Sequence, residues 1–208
     1  MTIEIWSDIV CPFCYLGKRK LEKAMEGFEH RDSIDVVYKS YQLMPHVKTE
    51  PGLSINAFLA REKGMSLDQA RQMNEYVTEQ AAALDLRYRL DNAVVANTLR
   101  AHRLLHHAKN QGKQVETKEK LLKAYFTEGK NIDDRNTLLE LAKDIGLTNS
   151  EKVLDSDEYA LDVREDILES RQLGVKGVPF FVFDRKYAIS GAQDLSVFSK
   201  TLKQAFEK

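Results

Sequence analysis

Apolar and polar residues alternate from Ile3 to Trp6, with branched side chains at Ile3 and Ile5, and this period of two predicts a short strand. The period then changes. Cys14, Gly17, Leu21, Met25 and Phe28 recur at helical spacing and mark one face, while Lys18, Arg19, Glu22 and Lys23 are expected to point elsewhere. Pro12 suits the first position of that helix, where a missing N–H is no loss, so Cys11 falls at or near its N-cap. Residues 34–43, IDVVYKSYQL, read as a second strand. From about residue 50 to about residue 173 the pattern is helical almost throughout. Glycines at 64, 112, 129, 146 and 174 supply helix stops, and Asp133 or Asp134 and Ser150 supply starts. Strand character returns at VPFFVF (178–183) and, after the turn-like DRK, at YAIS (187–190). Asp194–Phe206 closes the chain as a helix with Leu195, Phe198, Leu202 and Phe206 on one side.

The outer strands are too few to form independent sheets at either end, so the simplest construction is one sheet interrupted by a block of helices, an α/β protein. The expected parts are residues 1–47, a helical insertion over 48–173, and 174–208. At 208 residues the chain can bury a core without covalent staples. With 31 basic against 32 acidic residues it has no net field for nucleic acid or a lipid surface. MTIEIWSD lacks the basic and apolar regions of a leader, and no apolar run approaches the roughly 20 residues that span a bilayer. The expectation is a soluble, cytoplasmic protein without nucleic-acid or membrane partners, in a compartment where permanent disulfides do not persist.

Both cysteines of the chain fall in one stretch, DIVCPFCYLGK, as Cys11 and Cys14. A structural disulfide, half of a metal site, two buried apolar residues and a redox dithiol are the competing readings. A disulfide here would close a loop of four residues and constrain the unfolded chain little. A thiol at a helix N-terminus is different, because unpaired N–H groups and the helix dipole favour the thiolate, the nucleophile of disulfide exchange. On this reading Cys11 is accessible and acidic, and Cys14, one turn inward and shielded, resolves the mixed disulfide that Cys11 forms. Zinc would need two further ligands from His30, His46, His102, His106 and His107; His102 and His106, four apart, could share a helix face, but 87 residues separate Cys14 from His102, far from finger spacing, and these histidines read as solvated residues. In GVKGVPFFVF, Pro179 opens a strand, either as an edge proline or as the second residue of a cis Val178–Pro179 peptide.

The strand followed by Ser7, Asp8 and CPFCYLGK, the helical insertion, and GVPFFVF followed by ISGAQ together resemble the DsbA family of thioredoxin-fold proteins, particularly its cytosolic FrnE-like branch. That branch carries a Ser-Asp pair and C-P-W-C followed by Tyr, a small apolar residue and Gly-Lys. The resemblance implies a thioredoxin-like fold, with Cys11 as attacking and Cys14 as resolving thiol, and a cis Val178–Pro179 pair whose backbone holds an extended substrate. It also implies that Pro12 and Phe13 tune the couple, that no metal or organic cofactor is needed, and that the partners are thiol- or disulfide-containing proteins or small thiols. Phe13 departs from the usual Trp, and Ile5 stands where many thioredoxin-fold enzymes bury an acid, with Glu4 and Asp8 as nearby carboxylates. Two other functions compete. Glutathione-dependent isomerases and kappa-type glutathione transferases share related folds but typically carry serine where this chain has Cys11. A chaperone-like module with a peptide groove would use the thiols only secondarily.

Overall fold

The protein is described here by a computed structural model covering residues 1–207. In chain order its elements are β1 (Thr2–Ser7), α1 (Pro12–Glu26), β2 (Asp35–Ser40), α2 (Ile55–Lys63), α3 (Leu67–Ala82), α4 (Leu99–Asn110), α5 (Gln114–Phe126), α6 (Arg135–Asp144), α7 (Ser150–Leu154), α8 (Ala160–Gln172), β3 (Phe180–Phe183), β4 (Tyr187–Ser190) and α9 (Leu195–Phe206). They form two compact units, Met1–Leu43 with the chain from Leu161 onward, and Met44–Ala160.

The first unit holds a four-stranded sheet in the order β2-β1-β3-β4. β1 and β2 run parallel from Thr2 opposite Asp35 to Ser7 opposite Ser40, a pairing that needs a crossover, and α1 supplies it. β3 lies antiparallel to β1, with Ile3 opposite Phe183, and β4 antiparallel to β3. The alternation in β1 sends Ile3 and Ile5 to one face, where they pack with Phe181, Phe183 and Ile189, with Leu21 and Ala24 of α1, and with Phe198, Leu202 and Ala205 of α9. Phe181 meets Phe198 edge to face at 4.9 Å between ring centroids.

Glu4, Trp6 and Lys39 face the other side, which α8 covers. Trp6 Nε1 donates to the Asp166 carbonyl at 2.9 Å, and the buried Asp166 carboxylate accepts from Lys39 Nζ and the Ser40 N–H, both at 2.7 Å. Glu169 pairs with Lys39 at 3.0 Å and with Arg185 at 2.7 Å, and Arg185 also pairs with Glu4. Lys39 and Arg185 both stand over the Trp6 ring, 5.9 and 5.8 Å from its centroid. These bonds explain why residues 161–173, expected with the helical insertion, cluster with the sheet. They also help end β2 at Ser40 rather than at residue 43, because the Ser40 N–H turns to Asp166 and the Leu43 N–H to Asp8.

The second unit is helical. Ser54, Ser66 and Asp134 cap α2, α3 and α6, and Ser66 with Gln69 makes a reciprocal capping box at 3.1 and 2.8 Å. Gly64 ends α2 at φ 64°, a conformation that glycine adopts without a Cβ clash. α7 does begin at Ser150, but its cap is Asn149. The histidines of α4 correct the solvated reading: His102 and His107 are 1% and 7% exposed, because they fall on the stripe that buries Leu104, Leu105 and Ala108. His107 Nε2 donates to the Thr148 carbonyl at 2.6 Å. Among the described residues, no three His, Cys, Asp or Glu side chains gather as a metal site. No helix there is long and apolar enough to cross a membrane.

Candidate active site

Cys11 is the N-cap of α1, with extended backbone (φ −87°, ψ 111°), and Pro12 follows in the first turn. That turn contains no acidic residue, and the Cys14 N–H closes onto the Cys11 carbonyl at 3.0 Å. The sequence thus delivers both cysteines to one end of one helix, each as a thiol rather than in a disulfide. Directly before β3, the Val178–Pro179 peptide is cis, and the Val178 carbonyl lies 3.5 Å from Cys11 Sγ as its hydrogen-bond acceptor. Pro179 is buried and its carbonyl accepts from the Gly191 N–H at 2.8 Å, which ties the segment to the turn after β4. Phe13 is 43% exposed at the rim. Cys11, Pro12, Phe13 and Cys14 therefore share a turn, and Val178 and Pro179 stand beside it.

Two expectations about Cys11 need correction. It is not the exposed thiol of an unequal pair: Cys11 and Cys14 are 3% and 2% exposed. A cap position directs the backbone outward, but here the chain at Val178 meets the sulfur. Nor is its proton held low. The hydrogen bond to Cys14 comes first in holding the Cys11 thiol well above its ordinary value, followed by burial, the Cys14 charge and, more weakly, the Asp8 charge, with only a backbone bond at Cys14 acting the other way. Two thiols in contact give up their protons as a pair rather than independently.

The carboxylates nearby take definite places. Ile5 is 1% exposed and in the core. Glu4 belongs to the Arg185 pair on the α8 side of the sheet. Asp8 is 1% exposed and latches the loop before Cys11 to the segment after β2. One of its oxygens accepts from the Ile9 N–H and the other from the Leu43 N–H, each at 2.8 Å. An Asp directly after a strand and before a helix start is the signal for such a latch. Lys18, expected on the outer face, is 3% exposed, with Nζ on Glu22 at 2.5 Å. It reaches inside by running its aliphatic stem along the core and ending on a carboxylate.

A strand, a cysteine pair at the start of the crossover helix, and a proline entering β3 define a thioredoxin-type fold. The model of the DSBA-like thioredoxin domain matches residues 2–203, and the chain belongs to that family. The uncharacterized protein YwbO of Bacillus subtilis (strain 168) is 27% identical over 99% of this chain and 98% of its own length. Among solved structures, a Streptomyces coelicolor protein described as a probable DsbA oxidoreductase is 39% identical with a TM-score of 0.92, over 100% of this chain and 91% of that one. The cytosolic disulfide reductase DsbM of Pseudomonas aeruginosa shares the fold at 17% identity and TM-score 0.71, over 100% and 99% of the two chains, and was also solved with GSH.

Proposed function

We propose that the protein is a dithiol–disulfide oxidoreductase or isomerase acting through Cys11 and Cys14, without a metal or organic cofactor. The observation that carries this is the meeting of the only two thiols, at the N-terminus of α1, with the Val178 carbonyl 3.5 Å from Cys11 Sγ. The Cys11 thiolate attacks a substrate disulfide R–S–S–R′, forming Cys11–S–S–R and releasing R′S⁻, which takes a proton. Cys14, as thiolate, then attacks the Cys11 sulfur, the S–R bond breaks, and RS⁻ leaves, so that two electrons have passed from the dithiol to the disulfide. The reverse sequence oxidises a substrate dithiol.

Val178 and Pro179 are the substrate-binding pair in this reading, with the Val178 backbone bonding an extended segment as a strand would. Pro12 and Phe13 tune the couple through helix-start geometry and local solvation. The substrates are proteins or small thiols, and the GSH in the DsbM structure supports the second class. A cytoplasmic setting and the FrnE-like branch complete the proposal, supported by the CPFCYLGK run. The division into two thioredoxin-like segments flanking a helical insertion belongs to it as well.

Cys14→Ser protein expressed in its host tests the reading. It should accumulate mixed disulfides that are released by reductant, and Cys11→Ser should accumulate none. Binding of the same partners by Cys11→Ser would instead favour a chaperone-like module.

A further inference from the structure

Gly17 sits in the middle of α1 on its buried face, where alanine would be the better helix former. The reason for glycine is visible in what a side chain would meet. A Cβ built there would come 2.9 Å from Pro179 Cγ and 2.9 Å from Phe181 Cζ. Carbon atoms in contact rest about 3.5–4.0 Å apart, so a single methyl group requires a separation of roughly 0.6–1 Å. Neither neighbour yields easily. Pro179 Cγ belongs to a closed ring, and Phe181 is fully buried, with its ring set against Phe198. One turn of the same helix carries Cys11 and Cys14 on one side of this contact, and Val178 precedes Pro179 on the other.

We infer that Gly17 is a positioning residue: its missing side chain lets α1 lie directly on Pro179, and this close approach sets the distance between the Cys11 sulfur and the Val178 backbone that receives the substrate. The inference rests on the exchange activity proposed above and goes beyond it by naming what registers the thiols against the substrate segment. A methyl at position 17 widens the gap between helix and segment. The thiols keep their place in the helix, but a disulfide held on the Val178 backbone is no longer in line with Cys11. Displacements of this order cost about ten-fold or more in rate.

The test compares two oxidants of the reduced protein: an extended peptide disulfide, which can bond to the Val178 backbone, and hydroxyethyl disulfide, which has no peptide groups. The ratio of their second-order rate constants for Gly17→Ala should fall about ten-fold below that of the wild type. If Gly17→Ala alone folds poorly, the comparison is made in Phe181→Leu protein, where the ring contact is gone and the Pro179 contact remains. A ratio unchanged within two-fold, including an equal fall of both rates, overturns the inference while leaving exchange intact. A wild-type protein that reacts with neither disulfide overturns the exchange reading, and the inference with it.

Discussion

Asp166 supplies the sharpest stability test, because one carboxylate joins α8 to two neighbouring residues of β2. Its side chain is 5% exposed and accepts from Lys39 Nζ and from the Ser40 N–H, each at 2.7 Å. Asp166→Ala removes both bonds. A hydrogen bond to a charged group contributes about 1.5–3 kcal/mol, and breaking a buried ion pair costs about 3–5 kcal/mol. Lys39 keeps Glu169 at 3.0 Å and its side chain is 18% exposed, which favours the low end, about 3 kcal/mol. Burial pulls the Lys39 ammonium down, but its bonds to Asp166 and Glu169 outweigh this and hold its proton above the ordinary lysine value. The Lys39 part of the loss is therefore present below the unfolded lysine value of about 10.4 and fades as pH rises through the folded value. Urea unfolding followed by Trp6, the one tryptophan, reads the site directly, since its ring lies beneath Lys39 and its N–H bonds to Asp166. A double-mutant cycle of Asp166→Asn with Lys39→Met should give a coupling of at least about 1 kcal/mol. A change of less than about 0.5 kcal/mol for Asp166→Ala at pH 7 would refute the assigned role.

Three further outcomes are expected. Thiolate absorbance of the reduced protein should rise in two well-separated steps, and Cys14→Ala should leave a single step below the second of these, since it removes the hydrogen bond and charge that hold the Cys11 proton. Because that proton is held above its unfolded value, the reduced protein should lose stability as pH rises above the ordinary thiol value of about 8.5, and the oxidised protein should show no such thiol-linked loss in parallel denaturation curves. Arg103, 5% exposed, donates to the carbonyls of Val153, Ser156 and Glu158, so Arg103→Met should lower the unfolding free energy from urea denaturation by about 3 kcal/mol, and a loss below about 1 kcal/mol would show those carbonyls satisfied otherwise.

Local rules carried the reading of this chain as far as local forces decide the outcome. Alternation at Ile3 and Ile5 and the proline after Cys11 were enough to place a strand against a helix start, because both depend on neighbours in sequence. Asp134 and Gly64 mark helix ends for the same reason. What escaped depends on partners far along the chain. Nothing in the period of residues 160–172 reveals that Asp166 will hold Lys39 and Ser40, over a hundred residues away, and so that α8 belongs to the sheet. Helical spacing points Lys18 outward and residue type does the same for His102 and His107, yet their helix positions lie on buried stripes where a polar tip is tolerated once it finds a partner. At the site, the cysteine spacing was legible as chemistry. The burial of Cys11 was not, because its sulfur meets Val178, a contact across 167 positions.

Equilibration of the purified protein in glutathione buffers of graded composition, quenched and read by the mass added on alkylation, tests the exchange activity most directly. Helix-start stabilisation of a thiolate raises the potential, and the firmly held Cys11 proton works against it, so the couple should lie between the roughly −270 mV of thioredoxin and the roughly −120 mV of DsbA, nearer the former. Cys11 and Cys14 should gain and lose their labels together, in one two-electron transition within that interval. Two thiols that titrate independently, or that stay reduced across the whole series, would contradict the assignment of this pair as the working dithiol.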